Sequence, residues 1–296
     1  MISRRKASTQ NAMIAMMAQL VKLIGQFIVQ TVFVKTLGAE YLGANGLFTN
    51  LITFLSFAEL GIGFAFSYEL YKPLANKNEE LISSIMSMYR KVYDLIGLII
   101  LFGGLILSYF VPFLIKNNDG MQHIRIYFVL FLLSSVVSYF FTYNRSLLIA
   151  DQLGYIDSRN QLNFAVFKYI FQILFLVFMN SYFGFLVIQI ATNFLSNIWI
   201  TKLTKKKYPF LNIRTKEQPA PEIVKRLKKN VIGTISSKIG SIIVNGTDNI
   251  LISKFVGLAT VGLYSNYSLI VTGITTVLNQ VLKIGRARLN SSHDQI

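Results

Sequence analysis

Lys35-Thr-Leu-Gly38, with Gly43 shortly after it, follows the first long apolar stretch of the chain, and Lys254-Phe-Val-Gly257 with Gly262 repeats the pattern 219 residues later. The same offset pairs Asn11 with Asn230 and superposes two polar rows. Gln19, Lys22, Gln26 and Gln30 fall on Lys238, Ser241, Asn245 and Asn249. Steps of three and four residues put each row on one face of a helix. The chain therefore carries an internal repeat, and each copy presents a polar stripe.

Of 296 residues, 53% are hydrophobic and only 14% charged, with a mean hydropathy of +0.51. That balance departs from soluble domains toward an all-α, polytopic membrane protein. Cysteine is absent and histidine occurs twice, which excludes disulfides and thiolate sites and leaves no metal site or cofactor to expect. The net charge of +16 would suggest nucleic acid in a soluble chain. Here the lysines and arginines sit mainly in short loops between apolar segments, which points to membrane topology and anionic membrane lipids instead. The first apolar stretch runs for about 23 residues without a small-residue cleavage pattern, so it reads as a retained span.

A helical span needs about 20 residues, and eight stretches qualify: about 11–34, 43–70, 92–115, 124–150, 162–180, 182–203, 230–253 and 260–283. Arg4, Arg5 and Lys6 precede the first, Lys72, Lys77, Arg90 and Lys91 lie between the second and third, and Arg159 lies between the fourth and fifth. All belong to alternate loops on one side, and so does the strongly basic stretch 202–229. The opposite side offers little beyond Lys35, Lys116 and Lys254, which places the N-terminus in the cytoplasm. The reading divides the chain into a six-helix lobe (1–203), a basic cytoplasmic linker (204–229) and the first two helices of a second lobe (230–283). Because six is even, the copies enter the membrane from the same side and are parallel repeats, a layout found in many transporters.

Residues 284–296, ending Ser292-His293-Asp294-Gln295-Ile296, break the pattern of everything before them and resemble an in-frame translation of a sequencing-library adapter. They are expected to be a non-native tail, with the natural gene continuing past about Lys283.

A charged residue near the middle of a span costs about 2.5–3.5 kcal/mol on insertion scales and calls for a polar neighbour, a hydrated cavity or a role. Lys22 is central in the first span, and its stripe of Gln19, Gln26 and Gln30 reads as one wall of a hydrated cavity. In the seventh span Thr234, Lys238, Ser241, Asn245, Asp248 and Asn249 form the facing stripe. Glu59, in Ala58-Glu-Leu-Gly-Ile-Gly63, is a partner for a cavity lysine. Asp248 and Glu59 are the candidates for coupling a cation, Asp248 also for pairing with Lys22. Glu69 caps the loop region, and Arg145 and Lys168 are further cations able to meet a phosphate. No phosphate-binding glycine loop, catalytic acid cluster or metal-ligand spacing is present, so the expectation is not an enzyme.

Ala58-Glu-Leu-Gly-Ile-Gly63, Leu70-Tyr-Lys-Pro-Leu-Ala75, Arg145-Ser-Leu-Leu-Ile-Ala-Asp151, Thr247-Asp-Asn-Ile-Leu-Ile-Ser-Lys-Phe-Val-Gly257 and Gly262-Leu-Tyr-Ser-Asn266 together resemble bacterial polysaccharide repeat-unit flippases. These belong to the multidrug, oligosaccharidyl-lipid and polysaccharide exporter superfamily. The resemblance covers about 1–283. It implies twelve or more helices in a two-lobe bundle like that of the superfamily's multidrug exporters, of which eight are present here. It further implies a cavity between spans one, two, seven and eight, and as substrate an oligosaccharide on an undecaprenyl diphosphate carrier. Lys22 and Lys238 match the cationic residues that line such a cavity.

The expected function is thus a flippase of the bacterial cytoplasmic membrane, moving lipid-linked oligosaccharide to the outer leaflet by alternating access for surface polysaccharide synthesis. Its expected substrate-binding residues are Lys22, Gln26, Lys238, Ser241, Asn245, Asn249 and Glu59. A cation-coupled drug exporter of the same superfamily is the alternative, although such exporters of cations favour carboxylates where lysines stand here. A membrane enzyme polymerising lipid-linked sugars is the third reading, and it would call for a large extracytoplasmic loop or an acidic cluster.

Overall fold

In the computed structural model the structure describes residues 4–59, 61–116, 121, 123–215 and 217–293, with side chains described outside 4–13, 15, 57–58, 236–246, 277 and 279–293. Within these the chain is helical and forms no strand. Its helices are α1 (Arg4–Leu37), α2 (Ala39–Leu55), α3 (Ile62–Ala75), α4 (Glu79–Phe110), α5 (Ile124–Tyr139), α6 (Thr142–Ala150), α7 (Gly154–Met179), α8 (Tyr182–Lys207), α9 (Pro221–Gly246), α10 (Asp248–Phe255) and α11 (Leu258–His293).

The repeated motif turns the chain in the same way twice. Gly38 (φ 91°) separates α1 from α2, and Gly257 (φ 133°) separates α10 from α11. Both angles lie in the region that side chains with a Cβ avoid, which accounts for glycine at this point of each copy.

Among the described residues four helices are long and apolar enough to cross a membrane: Met16–Leu37, the α4 segment Glu79–Leu114, α7 and α8. The bent pair α5 and α6, at 42°, makes a fifth as one span. The other three of the eight expected spans do not meet that test. The second is split between α2 and α3 by a 3₁₀ turn at Ser56–Glu59. The seventh is split between α9 and α10 at Thr247. The eighth, α11, is long but carries Asn266, Ser268, Thr272, Thr275 and Thr276.

The breaks in α2–α3 and α5–α6 lie against each other. The hydroxyls of Ser56 and Tyr139 share a 2.8 Å hydrogen bond, and Tyr93 of α4 donates to Glu59 at 3.0 Å. Tyr89, fully buried and stacked on Phe66 at 4.3 Å, bonds Ser146 of α6 at 2.7 Å. Non-helical backbone at membrane depth survives only where such partners bury it. The hairpin between α7 and α8 is tight: Asn180 is left-handed (φ 46°), and the Ser181 side chain caps α8 by accepting from the Gly184 amide at 3.3 Å.

The linker after α8 is docked rather than free. Its Asn212 amide donates to Ser83 at 3.2 Å, while Ser87 and Ser84 of α4 donate to the carbonyls of Thr215 and Glu217 at 3.0 and 3.2 Å. Tyr208 donates to Asp151 at 2.6 Å. Burial, together with that carboxylate, pushes the Tyr208 phenol above its ordinary pKa. On the same face Arg226 of α9 makes a two-pronged bond to buried Glu69 of α3, at 3.1 and 3.0 Å.

Candidate functional site

Packing of α1 along α7 and of α2 along α11 leaves a cavity of about 730 Å³ between the copies. The spacing of Gln19, Lys22, Gln26 and Gln30 turns all four of them into it from α1. Asn45, Thr49 and Asn50 face them from α2, Asp248 and Asn249 from α10, and Ser265, Ser268 and Thr272 from α11. The structure thus brings Lys22, Gln26, Asn249 and Asp248 onto one cavity wall system. The side chains of Lys238, Ser241 and Asn245 lie outside the described residues. Glu59 is placed elsewhere, at the break before α3 against Tyr93, and is not among the residues lining the cavity.

Two repeat-related amides cross between the copies. Gln30 of α1 donates to Asn266 of α11 at 2.6 Å. Asn249 of α10, its counterpart, donates to the Gly46 carbonyl and to Asn50 of α2, each at 3.2 Å. Each side chain reaches from the first span of its own copy to the second span of the other.

Lys22 does not pair with Asp248. Its ammonium donates to Gln161 of α7 at 2.6 Å, and Gln161 donates in turn to Asp157 at 2.7 Å. Asp157, buried, forms an ion pair with Arg145 of α6. Arg145 also donates to Ser196 and Asn197 of α8, each at 3.0 Å, and Asn160 donates to Ser196 at 2.9 Å. Arg145 thus spends most of its N–H groups on protein acceptors and ties α6, α7 and α8 together, while Lys22 retains two N–H groups for a ligand. Asp248 accepts from Tyr264 at 2.8 Å, and Glu69 meets Arg226 instead of capping a loop.

Lys168 stands beside Lys22 on the cavity wall. Among the described residues it makes no hydrogen bond or ion pair, and its ammonium lies 5.2 Å from the ring centre of Tyr169. The Tyr169 hydroxyl donates to the Lys22 carbonyl at 3.2 Å, and Gly25 lets α1 approach that ring, since a Cβ there would strike it. Behind the lysines lies a second cavity of about 340 Å³ inside the α1–α8 part of the chain, lined in common by Lys22, Lys168 and Tyr169.

Asp157 and Gln161 were not foreseen as site residues, because the fifth span was expected to begin at 162. Helix α7 begins at Gly154, which adds them to the row that continues through Phe164 and Lys168 at helical spacing.

The sequence profile of the polysaccharide biosynthesis protein family matches residues 8–283. The chain belongs to that family. No curated protein matches it. Solved structures similar to this polysaccharide biosynthesis family member include the outward-facing conformation of a multidrug resistance MATE family transporter of the MOP superfamily, with TM-score 0.65 and 15% identity over 94% of this chain and 69% of that one. An inward-facing conformation of such a transporter gives TM-score 0.58 and 16% identity over 86% and 60%. A MOP superfamily transporter from Pyrococcus furiosus, whose binding pocket is described as reversed in polarity, gives 0.60 and 15% over 94% and 68%. At such identities the likeness shows the fold alone, one shared with these proteins, and the chain spans about 60–69% of their length.

Proposed function

We propose that this family member acts in flipping oligosaccharide carried on a polyprenyl diphosphate from the cytoplasmic to the outer leaflet of a bacterial membrane. The observation that carries the reading is the pairing of Lys22 with Lys168 on the wall of a polar cavity, in a chain of the polysaccharide biosynthesis family. Two lysines stand against one carboxylate, Asp248, among that cavity's described lining residues, so the wall offers net positive charge. Such a surface suits a diphosphate and disfavours a cationic drug.

The proposed cycle is alternating access with the linker face cytoplasmic. Lys22 and Lys168 take the diphosphate, amides and hydroxyls of the stripes solvate the sugars, and the polyprenyl tail stays in lipid. Opening toward the cytoplasm separates α3 from α9 at Glu69 and Arg226, and opening outward separates α2 from α11. A membrane potential negative inside favours outward movement of an anion by about 2.3 kcal/mol per charge per 100 mV, so two charges gain roughly 4–5 kcal/mol without ATP. Lys238 stays a candidate second-copy contact, and Asp248 and Glu59 stay candidates for a coupling cation.

The test is Lys22→Glu in the native gene. The proposal expects surface polymer to fall to background while the protein remains in the membrane, and undiminished polymer refutes the role of Lys22.

A further inference from the structure

The second cavity shares both lysines with the first. At about 340 Å³ it is near the lower end of the roughly 300–1,000 Å³ typical of small-molecule sites. That is room for a pyranose ring with waters bridging it to the wall. Ser138, Thr192, Asn193 and Asn197 supply hydroxyls and amides to its wall, and Phe164 and Tyr169 supply ring faces. That mixture, buried within membrane-spanning helices, has no use for an acyl chain. It matches the alternating hydroxyl and C–H surfaces of a sugar.

A diphosphate has two ester ends, one bearing the lipid and the other the first sugar. Lys22 and Lys168 stand where the two cavities meet, so a diphosphate held between them directs one ester toward each cavity. The larger cavity passes the end leading to the lipid and holds the sugars beyond the first along its stripes. The smaller one accepts the other.

We propose, resting on the flippase reading above, that the cavity behind Lys22 and Lys168 is the subsite for the sugar joined directly to the diphosphate, and that Lys168 is a phosphate-contacting residue. Every residue of this subsite comes from α1, α5, α7 and α8 or from Arg145 of α6, which Asp157, Ser196 and Asn197 engage. The subsite is therefore complete within one side of the bundle and does not depend on how the two copies move. The first sugar stays bound as the lobes rock, and selectivity for that sugar resides here.

The test uses the purified full chain in detergent and two probes of equal charge, undecaprenyl methyl diphosphate and undecaprenyl diphosphoglucose, which differ only in the sugar. Two or three added hydrogen bonds at about 1 kcal/mol each predict that the glucose form binds about tenfold tighter or more. Ala165 of α7 lies on the wall of the smaller cavity and not of the larger, so Ala165→Phe fills the smaller one and is expected to equalise the probes while leaving the methyl form within about twofold of its original affinity; Ala165→Ser keeps the difference. Loss of a charge-assisted contact in Lys168→Gln weakens both probes by about tenfold. Should Ala165→Phe fail to fold, Thr192→Leu fills the same space from α8. Equal binding of the two probes by the unmodified chain, or a difference that survives filling, overturns the subsite and leaves the flippase reading standing. Failure of both probes to bind overturns the flippase reading as well.

Discussion

Gly43 and Gly262 face one another where α2 crosses α11. A Cβ on Gly43 would strike the Leu258 carbonyl, and a Cβ on Gly262 would strike the Ala39 carbonyl, with the Gly43 amide nitrogen 3.2 Å away. Ala39 and Leu258 are themselves 219 residues apart, so the contact is self-complementary, as at a two-fold interface, but within one chain. The repeat in the sequence is thus also the contact that joins the copies.

Backbone carbonyls cannot move aside as a side-chain tip can, so Gly43→Val or Gly262→Val should destabilise the protein by roughly 1–3 kcal/mol. Gly233, exposed in α9, would meet nothing within 4 Å of an added Cβ. Gly233→Ala should be neutral or stabilising by up to about 1 kcal/mol. Thermal unfolding in one detergent compares the three, and equal melting of the Val and Ala variants would contradict the crossing.

Arg145 and Asp157 should be strongly coupled. Removing one partner of a buried pair costs about 3–5 kcal/mol, whereas replacing both with apolar residues costs much less. Arg145→Met and Asp157→Leu should each lower stability more than the double variant does. A double-mutant cycle on unfolding free energy measures the coupling, and simple additivity would show that the pair is not a unit.

The bond between Glu69 and Arg226 joins α3 to α9 across the linker face. Because the chain has no cysteine, Glu69→Cys with Arg226→Cys introduces the sole thiols, and the prediction is that a short, reducible bifunctional thiol reagent joins them and blocks transport until it is cleaved. The charge swap Glu69→Arg with Arg226→Glu should transport better than either single reversal. A fully active cross-linked protein would exclude opening at this position.

Docking of the linker should weaken in alkali. The Tyr208 phenol is held above its ordinary value of 10.0 by burial and by Asp151. A raised folded-state pKa contributes stability that is fully present below about pH 10 and is lost as pH rises further, because the released phenol ionises first. Proteolysis of the linker should accelerate above about pH 10 in the unmodified chain. Tyr208→Phe should remove that pH dependence, and a slope unchanged by the substitution would show that another group is responsible.

The sequence made part of this visible and hid the rest for identifiable reasons. The motif around Gly38 and Gly257 and the stripe from Gln19 to Gln30 are local patterns, and the structure bears out an all-helical fold with apolar spans, similar to that of MATE family proteins. The breaks at Ser56–Glu59 and Thr247 were not legible in local pattern; at the first, the contact that holds it is tertiary, the Ser56 hydroxyl meeting that of Tyr139, 83 residues away. Hydropathy placed the start of the fifth span too late, which concealed Asp157 and Gln161 at the polar end of α7. Lys168 was visible as a charge in a span, but only tertiary packing sets it beside Lys22.

The most direct measurement of the central claim is transbilayer movement of fluorescent undecaprenyl diphosphate oligosaccharide in vesicles containing the purified protein, with and without an inside-negative potential. The expected result is movement faster than in empty vesicles, quickened by the potential and abolished by Lys22→Glu. Movement no faster than in empty vesicles, or a rate that Lys22→Glu leaves unchanged, would contradict it.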